Sequence, residues 1–283
     1  MTKTLLAITA GFTLTAALWA QKQPQPKSQK EVEALMAIQS AADPDARIKA
    51  AEDLLTKFAD TEFKEFALQM ETISYQQKND FENMVITGER TLEANPDNVV
   101  VLITLAQSIP QRTKEFDLDK EEKLSKSEKF AKKAQTLIPN LAKYNPQISD
   151  DDWAGYKKSA MSQAHEAVGM VAFTRKNYAA AEQNMRKAVE LGQAQPDAVA
   201  YWRLALALDH QSKYPEALQV VNQADQLSPQ EPVASLVKQE QARLKKLAPP
   251  GAAAPTQPAA ATTPAVPSAP PQGQPQAPKP PRP

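Results

Sequence analysis

Two stretches decide the fold: Gln163–Gln193, QAHEAVGMVAFTRKNYAAAEQNMRKAVELGQ, and Val199–Pro229, VAYWRLALALDHQSKYPEALQVVNQADQLSP. They align without a gap. Gly169 matches Ala205, Tyr178 matches Tyr214, Ala181 matches Ala217, Ala188 matches Ala224 and Leu191 matches Leu227, each pair 36 residues apart. Self-similarity at a fixed period marks a repeat architecture, in which each unit covers a face its neighbour leaves open. The matched residues describe a pair of antiparallel helices. A small residue, Gly169 or Ala205, stands where the second helix crosses the first closely. A polar turn follows: Arg175-Lys176-Asn177 in one copy, Gln211-Ser212-Lys213 in the other. Tyr178 or Tyr214 then opens the second helix and packs back. Ala181, Ala188, Ala217 and Ala224 keep that helix narrow at its contacts. Pro196 and Pro229 close the units, because Pro cannot continue a helix.

This pattern resembles the tetratricopeptide repeat (TPR) family, whose 34-residue unit has small residues at positions 8, 20 and 27, an aromatic near 17 and Pro at 32. Ala198 to Glu231 fits best, with Tyr201, Leu204, Ala205, Leu208, Tyr214, Ala217, Ala224 and Pro229 in phase. Ser162 to Gln195 fits with Pro196 three residues late. In Glu65 to Asn98, Tyr75, Phe81, Leu92 and Pro96 fall in place, while Met84 and Thr91 stand where small residues are usual. Val99 to Pro139 carries Leu102, Leu105, Ala106, Ile109, Ala131, Ala134 and Pro139 in phase, with about nine extra residues around Gln111 to Lys120. Glu31 to Phe63 reads as one more divergent pair. The resemblance covers roughly residues 30–247. It implies an all-α fold, a right-handed superhelix of stacked antiparallel helix pairs (a TPR-like solenoid) with disordered termini.

Helix signals outside the best units agree with this reading. Asn95-Pro96-Asp97-Asn98 and Pro139-Asn140 are stops between units. Ser149 before Asp150-Asp151-Asp152 predicts a helix start, with acids in the first turn favoured by the helix dipole. A calcium loop would need spaced ligands and a Gly that these acids lack. The spacing predicts a helix from there to about Thr174, with Trp153, Tyr156, Ala160, Ala164, Val168 and Val171 on one face. Pro232 to Leu247 is polar on most turns and reads as the solvating cap of a stacked array. Lys114 to Lys133 mixes both signs, and Glu122–Lys126 and Glu128–Lys132 at i,i+4 predict an exposed helix face.

The ends have a different character. Met1 to Ala20, MTKTLLAITAGFTLTAALWA, has a Lys, an uncharged run and small residues before a polar break, the pattern of a secretory signal peptide. The same run also admits an uncleaved inner-membrane anchor. Either predicts an exported chain, periplasmic or within a bacterial cell envelope. Residues 21–29 read as a linker. Residues 248–283 form a Pro/Ala/Gln-rich tail holding 13 of the 24 prolines, too poor in large apolar residues to build a core, and are expected to be disordered or partly polyproline II.

Composition narrows the chemistry. Lys+Arg and Asp+Glu balance at 33 each, so no net field favours nucleic acid. There is no Cys, which removes disulfides, thiolate metal sites and a Cys nucleophile. His165 and His210 are the only histidines and stand in different repeats without a G-x-S-x-G elbow. No catalysis, metal or cofactor is expected. The partner is expected to be a protein or peptide.

The TPR resemblance implies where that partner sits. Groove positions 2, 5, 9 and 12 fall on Phe66, Gln69, Ile73 and Gln76 in the first unit, and on Val100, Ile103 and Gln107 in the second. The third supplies Gln163, Glu166, Met170 and Phe173, and the fourth Val199, Trp202, Leu206 and Asp209. Trp202 and Phe173 read as aromatic anchors, or as packing between neighbouring units. The Lys and Asn of carboxylate-clamping TPR domains are absent, so the lining suits a helix or an extended segment. The function implied is an interaction scaffold or adaptor, or a subunit of an outer-membrane assembly, secretion or division apparatus.

Overall fold

The computed structural model describes residues 24–143 and 145–248. The expected signal at residues 1–20 and the tail from residue 249 lie outside the described residues. Eleven α-helices follow one another: α1 (Gln29–Gln39), α2 (Pro44–Lys57), α3 (Lys64–Gln77), α4 (Phe81–Ala94), α5 (Val99–Arg112), α6 (Lys120–Leu137), α7 (Asp150–Thr174), α8 (Tyr178–Leu191), α9 (Ala198–Asp209), α10 (Tyr214–Gln226) and α11 (Val233–Leu247). No strand occurs among the described residues, and none of the helices there is long and apolar enough to cross a membrane.

Caps start most of these helices. The side chains of Ser28, Asp43, Asp80, Asn98, Ser149, Asn177 and Asp197 each accept a backbone N–H of the first turn, satisfying donors that lack a partner within the helix. Ser149 opens α7 at the predicted place, and its hydroxyl donates to Asp152 Oδ2 at 2.7 Å while accepting from the Asp152 amide at 3.0 Å.

Consecutive helices pair antiparallel, α1 with α2 through α9 with α10, and each pair packs on the next. The turn inside three pairs is built one way. Asn79, Lys176 and Ser212 take left-handed φ values of 59°, 62° and 59°. The following amides of Asp80, Asn177 and Lys213 donate to the carbonyls of Tyr75, Ala172 and Leu208 at 2.9, 2.9 and 3.1 Å. This is a Schellman closure, which ends one helix and aims the chain back along it. The unit at Glu65 to Asn98 therefore shares the backbone device of the two clearest repeats. The α5–α6 pair differs, because the extra residues 113–119 form a loop braced by Glu115–Lys120 and Asp117–Lys123 pairs.

Small residues stand where helices come closest. A Cβ on Gly169 would lie 2.9 Å from Met185 Cγ of α8. Ala181, Ala205, Ala217 and Ala224 are fully buried. In the α3–α4 pair, Thr72, Met84 and Thr91 fill the corresponding positions. Each Thr hydroxyl there donates to a carbonyl one turn back, Thr72 to Leu68 and Thr91 to Thr87, both at 2.8 Å, so the buried oxygens are satisfied within their own helices. Gly88 supplies close approach instead: its Cβ would lie 2.9 Å from Leu105 of α5. Tyr178 packs back as expected, edge-on to Phe173 at 5.4 Å, and stacks on His210 of the next unit at 4.3 Å.

α6 departs from expectation in one pairing. Glu128 pairs with Lys132 at 2.5 Å as predicted, but Lys126 pairs with Glu89 of α4 rather than with Glu122. Glu128 also takes Arg175 from the end of α7. Neighbouring helices present closer partners than the next turn does. These groups are a quarter to two-thirds exposed, so each pair is worth about 0–1 kcal/mol. At the far end α11 buries Val237 and Leu244 against the α9–α10 core, with Val233 packed beside them and Leu236 and Leu247 exposed among otherwise polar turns. At the near end the Gln25 amide and Lys27 bind Glu62 and Asp60, and buried Glu31 accepts from Thr61 at 2.6 Å. The described part of the expected linker is thus tied to the α2–α3 loop.

Candidate partner-binding groove

The first helices of the pairs, α3, α5, α7, α9 and then α11, lie side by side, with α3–α5, α5–α7 and α9–α11 in direct contact. A polar seam joins them. Asn98 at the start of α5 donates to Glu65 and Gln69 of α3 at 2.7 and 2.6 Å. Gln107 of α5 donates to Glu166 of α7 at 3.2 Å, and Arg203 of α9 donates to the other Glu166 oxygen at 2.5 Å. Arg243 of α11 pairs with Asp209 of α9 and with Glu240. Its hydrogen bonds to Glu240 and Asp209 raise the Arg243 pKa above the ordinary value.

Beside the central part of this seam runs an open groove of about 680 Å³. Its origin is the length of α7. That helix has 25 residues against 14 in α3 and α5 and 12 in α9. The added 11 residues or so extend its N-terminal half by roughly 16 Å. They face the end of α8 and the 192–197 connection. Asp151, Tyr156 and Ser159 come from the overhang, Asp197 and Tyr201 from the start of α9, and Gln107, Gln163 and Glu166 from the seam side. The lining carries Asp151, Asp152 and Asp197 against one cation, Lys158; Asp152 accepts from the Ser149 hydroxyl and Asp197 from the Val199 amide, while Glu166 is held by Arg203. A second cleft of about 200 Å³ is lined by Gln76, Phe81, Met84, Gln107 and Arg112.

The residues implied by the TPR phase divide into four sets. Gln76, Gln107, Gln163 and Glu166 line the two clefts. A second set is engaged in packing. Phe66 packs on the α1–α2 core. Ile103 is 6% exposed in a cluster with Ala160 and Ala164 of α7. Met170, Phe173 and Trp202 pack against the α8–α10 core. A third set, Gln69 and Asp209, is engaged by Asn98 and Arg243. Ile73, Val100, Val199 and Leu206 are half-buried. The aromatic residues lining the larger groove are Tyr156, which stacks on Trp153 at 4.9 Å, and Tyr201, which also packs against the α8–α10 core; neither is one of the groove positions that the resemblance supplied. The signal for Tyr156 was the unusual length of the helix starting at Ser149, since the extra turns have to face something; Tyr201, on α9, stood in the repeat phase but not at a groove position.

The histidines are engaged elsewhere. His165 Nδ1 lies 3.2 Å from Asn184 Oδ1, and His210 is stacked on Tyr178. Among the described residues no cluster of three or more His, Asp or Glu is placed to hold a metal.

No family model matches the chain, and no curated protein matches it in sequence. Solved structures do. A thermophilic TPR protein of Thermus thermophilus superposes with a TM-score of 0.50 at 14% identity, covering 77% of this chain and 98% of that one. The assembly chaperone of RpL4, Acl4 (residues 1–338), superposes with a TM-score of 0.41 at 12% identity, covering 78% of this chain and 97% of that one. At such identities the likeness of the Thermus protein concerns the fold alone. Together with the repeated helix pairs and their shared turn, it makes this chain an all-α, TPR-like solenoid.

Proposed function

We propose that the chain is a protein-binding scaffold or adaptor of the bacterial cell envelope, and that it takes a partner's helix or extended segment along the faces of its first helices. The observation that carries this reading is the groove of about 680 Å³ beside α7. It is open and lined by tyrosines, amides and carboxylates, the mixture that grips a peptide by its backbone and by alternate side chains. A helical array of this kind offers such a surface without enclosing a small-molecule pocket. The envelope location is supported by the signal-like sequence at Met1 to Ala20.

The test is crosslinking in the native cell. A photoreactive residue replacing Ser159 in the full-length chain is expected to give one discrete protein adduct in the envelope fraction. Tyr201→Ala and Asp151→Lys are each expected to reduce that adduct about ten-fold, the loss of one good contact. An adduct indifferent to both substitutions, or equally strong from Thr136 on α6, overturns the reading.

A further inference from the structure

We propose that a segment of this chain's own tail, Pro278 to Pro283, occupies the groove beside α7 and must leave before a partner segment enters. The inference rests on the reading of that groove as a site for an extended peptide. Among the side chains of residues 249–283 only two are charged, Lys279 and Arg282, both positive and both within PKPPRP. The groove has the opposite balance, with Asp151, Asp152 and Asp197 against Lys158.

Geometry adds to charge. A Pro-rich segment favours polyproline II, with three residues per turn and about 3.1 Å rise. Lys279 and Arg282 are three apart and so fall on one edge of such a helix, roughly 9 Å from each other. That edge presents both cations together to the acidic lining, where Asp197 also caps α9 through the Val199 amide. The remaining faces carry only prolines, and pyrrolidine rings dock on aromatic surfaces such as the exposed parts of Tyr156, which stacks on Trp153 at 4.9 Å, and of Tyr201, which packs on the α8–α10 core.

The connection is long enough. From Ala248 to Pro278 the chain spans up to about 90 Å as polyproline II. From α11 back to α7 is two helix spacings of about 8–10 Å each. Tethering at this length supplies an effective concentration on the order of millimolar. A weak intrinsic affinity is then enough to fill the groove, and a tighter partner segment still displaces the tail.

The absence of Cys allows a clean test in the full-length chain. One variant carries Ser159→Cys with Ala277→Cys, a control carries Ser235→Cys with Ala277→Cys. Ser235 on α11 lies nearer the root of the tail along the chain. Under mild oxidation the groove pair is expected to form an intramolecular disulfide about ten-fold faster than the control, as tethered docking requires. Adding Lys279→Glu and Arg282→Glu, or adding Asp151→Lys, is expected to abolish that advantage, and a synthetic peptide of residues 274–283 is expected to slow it. Equal rates for the two pairs, or an advantage indifferent to the charge reversals, overturns the proposal. Disulfide-linked dimers in place of monomers also overturn it, because the occupant is then the tail of a second copy. A partner adduct from position 159 that persists while the disulfide fails removes the tail and leaves the proposed function intact. Loss of both removes the groove itself.

Discussion

Glu71 sits on α3, 3% exposed, and its Oε1 has no hydrogen-bond partner. Burial pushes its carboxyl up from 4.5 to about 7, with Arg90 opposing the rise and Glu52 adding to it. The unfolded chain gives up this proton near pH 4.5, while the folded chain keeps it to about pH 7. The stability from Glu71 is therefore fully present below pH 4.5 and lost as pH rises through about 7. Each ten-fold difference in proton affinity between the two states is worth about 1.4 kcal/mol, so the full loss is on the order of 3 kcal/mol. Glu71→Gln is expected to flatten this slope and to raise the urea midpoint at pH 8 relative to the parent chain. If both proteins lose the same stability between pH 5 and pH 8, Glu71 is not the titrating group. The repeat phase gave no sign of this residue, since burial of a carboxylate depends on which helices close over it. Lys176 and Ser212 show the opposite case: the polar turns containing them were readable, and their left-handed backbone follows from closing a helix pair in so few residues.

At the scale of one helix, α7 carries two glycines with opposite roles. A Cβ on Gly155 meets nothing within 4 Å, whereas one on Gly169 meets Met185 at 2.9 Å and the Ala181 carbonyl oxygen at 3.4 Å. Gly155→Ala is expected to stabilise by about 0.5–1 kcal/mol through helix propensity alone. Gly169→Val is expected to cost about 1–3 kcal/mol by overpacking the α7–α8 contact. Paired thermal melts check both signs, and a neutral Gly169→Val would remove the argument that close approach requires a small residue there. The sequence alone marked Gly169, because it recurs in phase with Ala205. Gly155 lies outside the repeat phase and had no such mark. The start of α7 at Ser149 was equally legible, since a cap and three acids act within a single turn. The partner of Lys126 was not: Glu122 lies one turn away along α6, but Glu89 is brought closer by folding α4 against it.

Across the whole array, stability passes from pair to pair through neighbour contacts. Glu166 joins α5, α7 and α9 through Gln107 and Arg203, and its side chain is 9% exposed against 15% for Arg203. Glu166→Ala strands the arginine and is expected to cost about 3 kcal/mol. Glu166→Leu with Arg203→Leu removes both charges and is expected to recover most of that loss. Urea unfolding of the three proteins decides the point; a double variant as weak as the single one would show that the cost is packing rather than charge.

The sequence by itself determined the period of 36 between the two clearest units, the cap at Ser149, the polar turns of those units, the small residues at their crossings and the polar last helix. Those features come from hydrogen bonds within a turn and from apolar spacing along a helix, both short-range and written in neighbouring residues. Only the tertiary structure decided what the first helices leave open. Phe173 and Trp202 are taken up by packing, Asp209 by Arg243, and the groove is lined by turns that α7 adds beyond the repeat. Exposure of a side chain depends on helices supplied from 30 or more residues away, as Glu166 and Arg203 are 37 apart, and no local pattern encodes that distance.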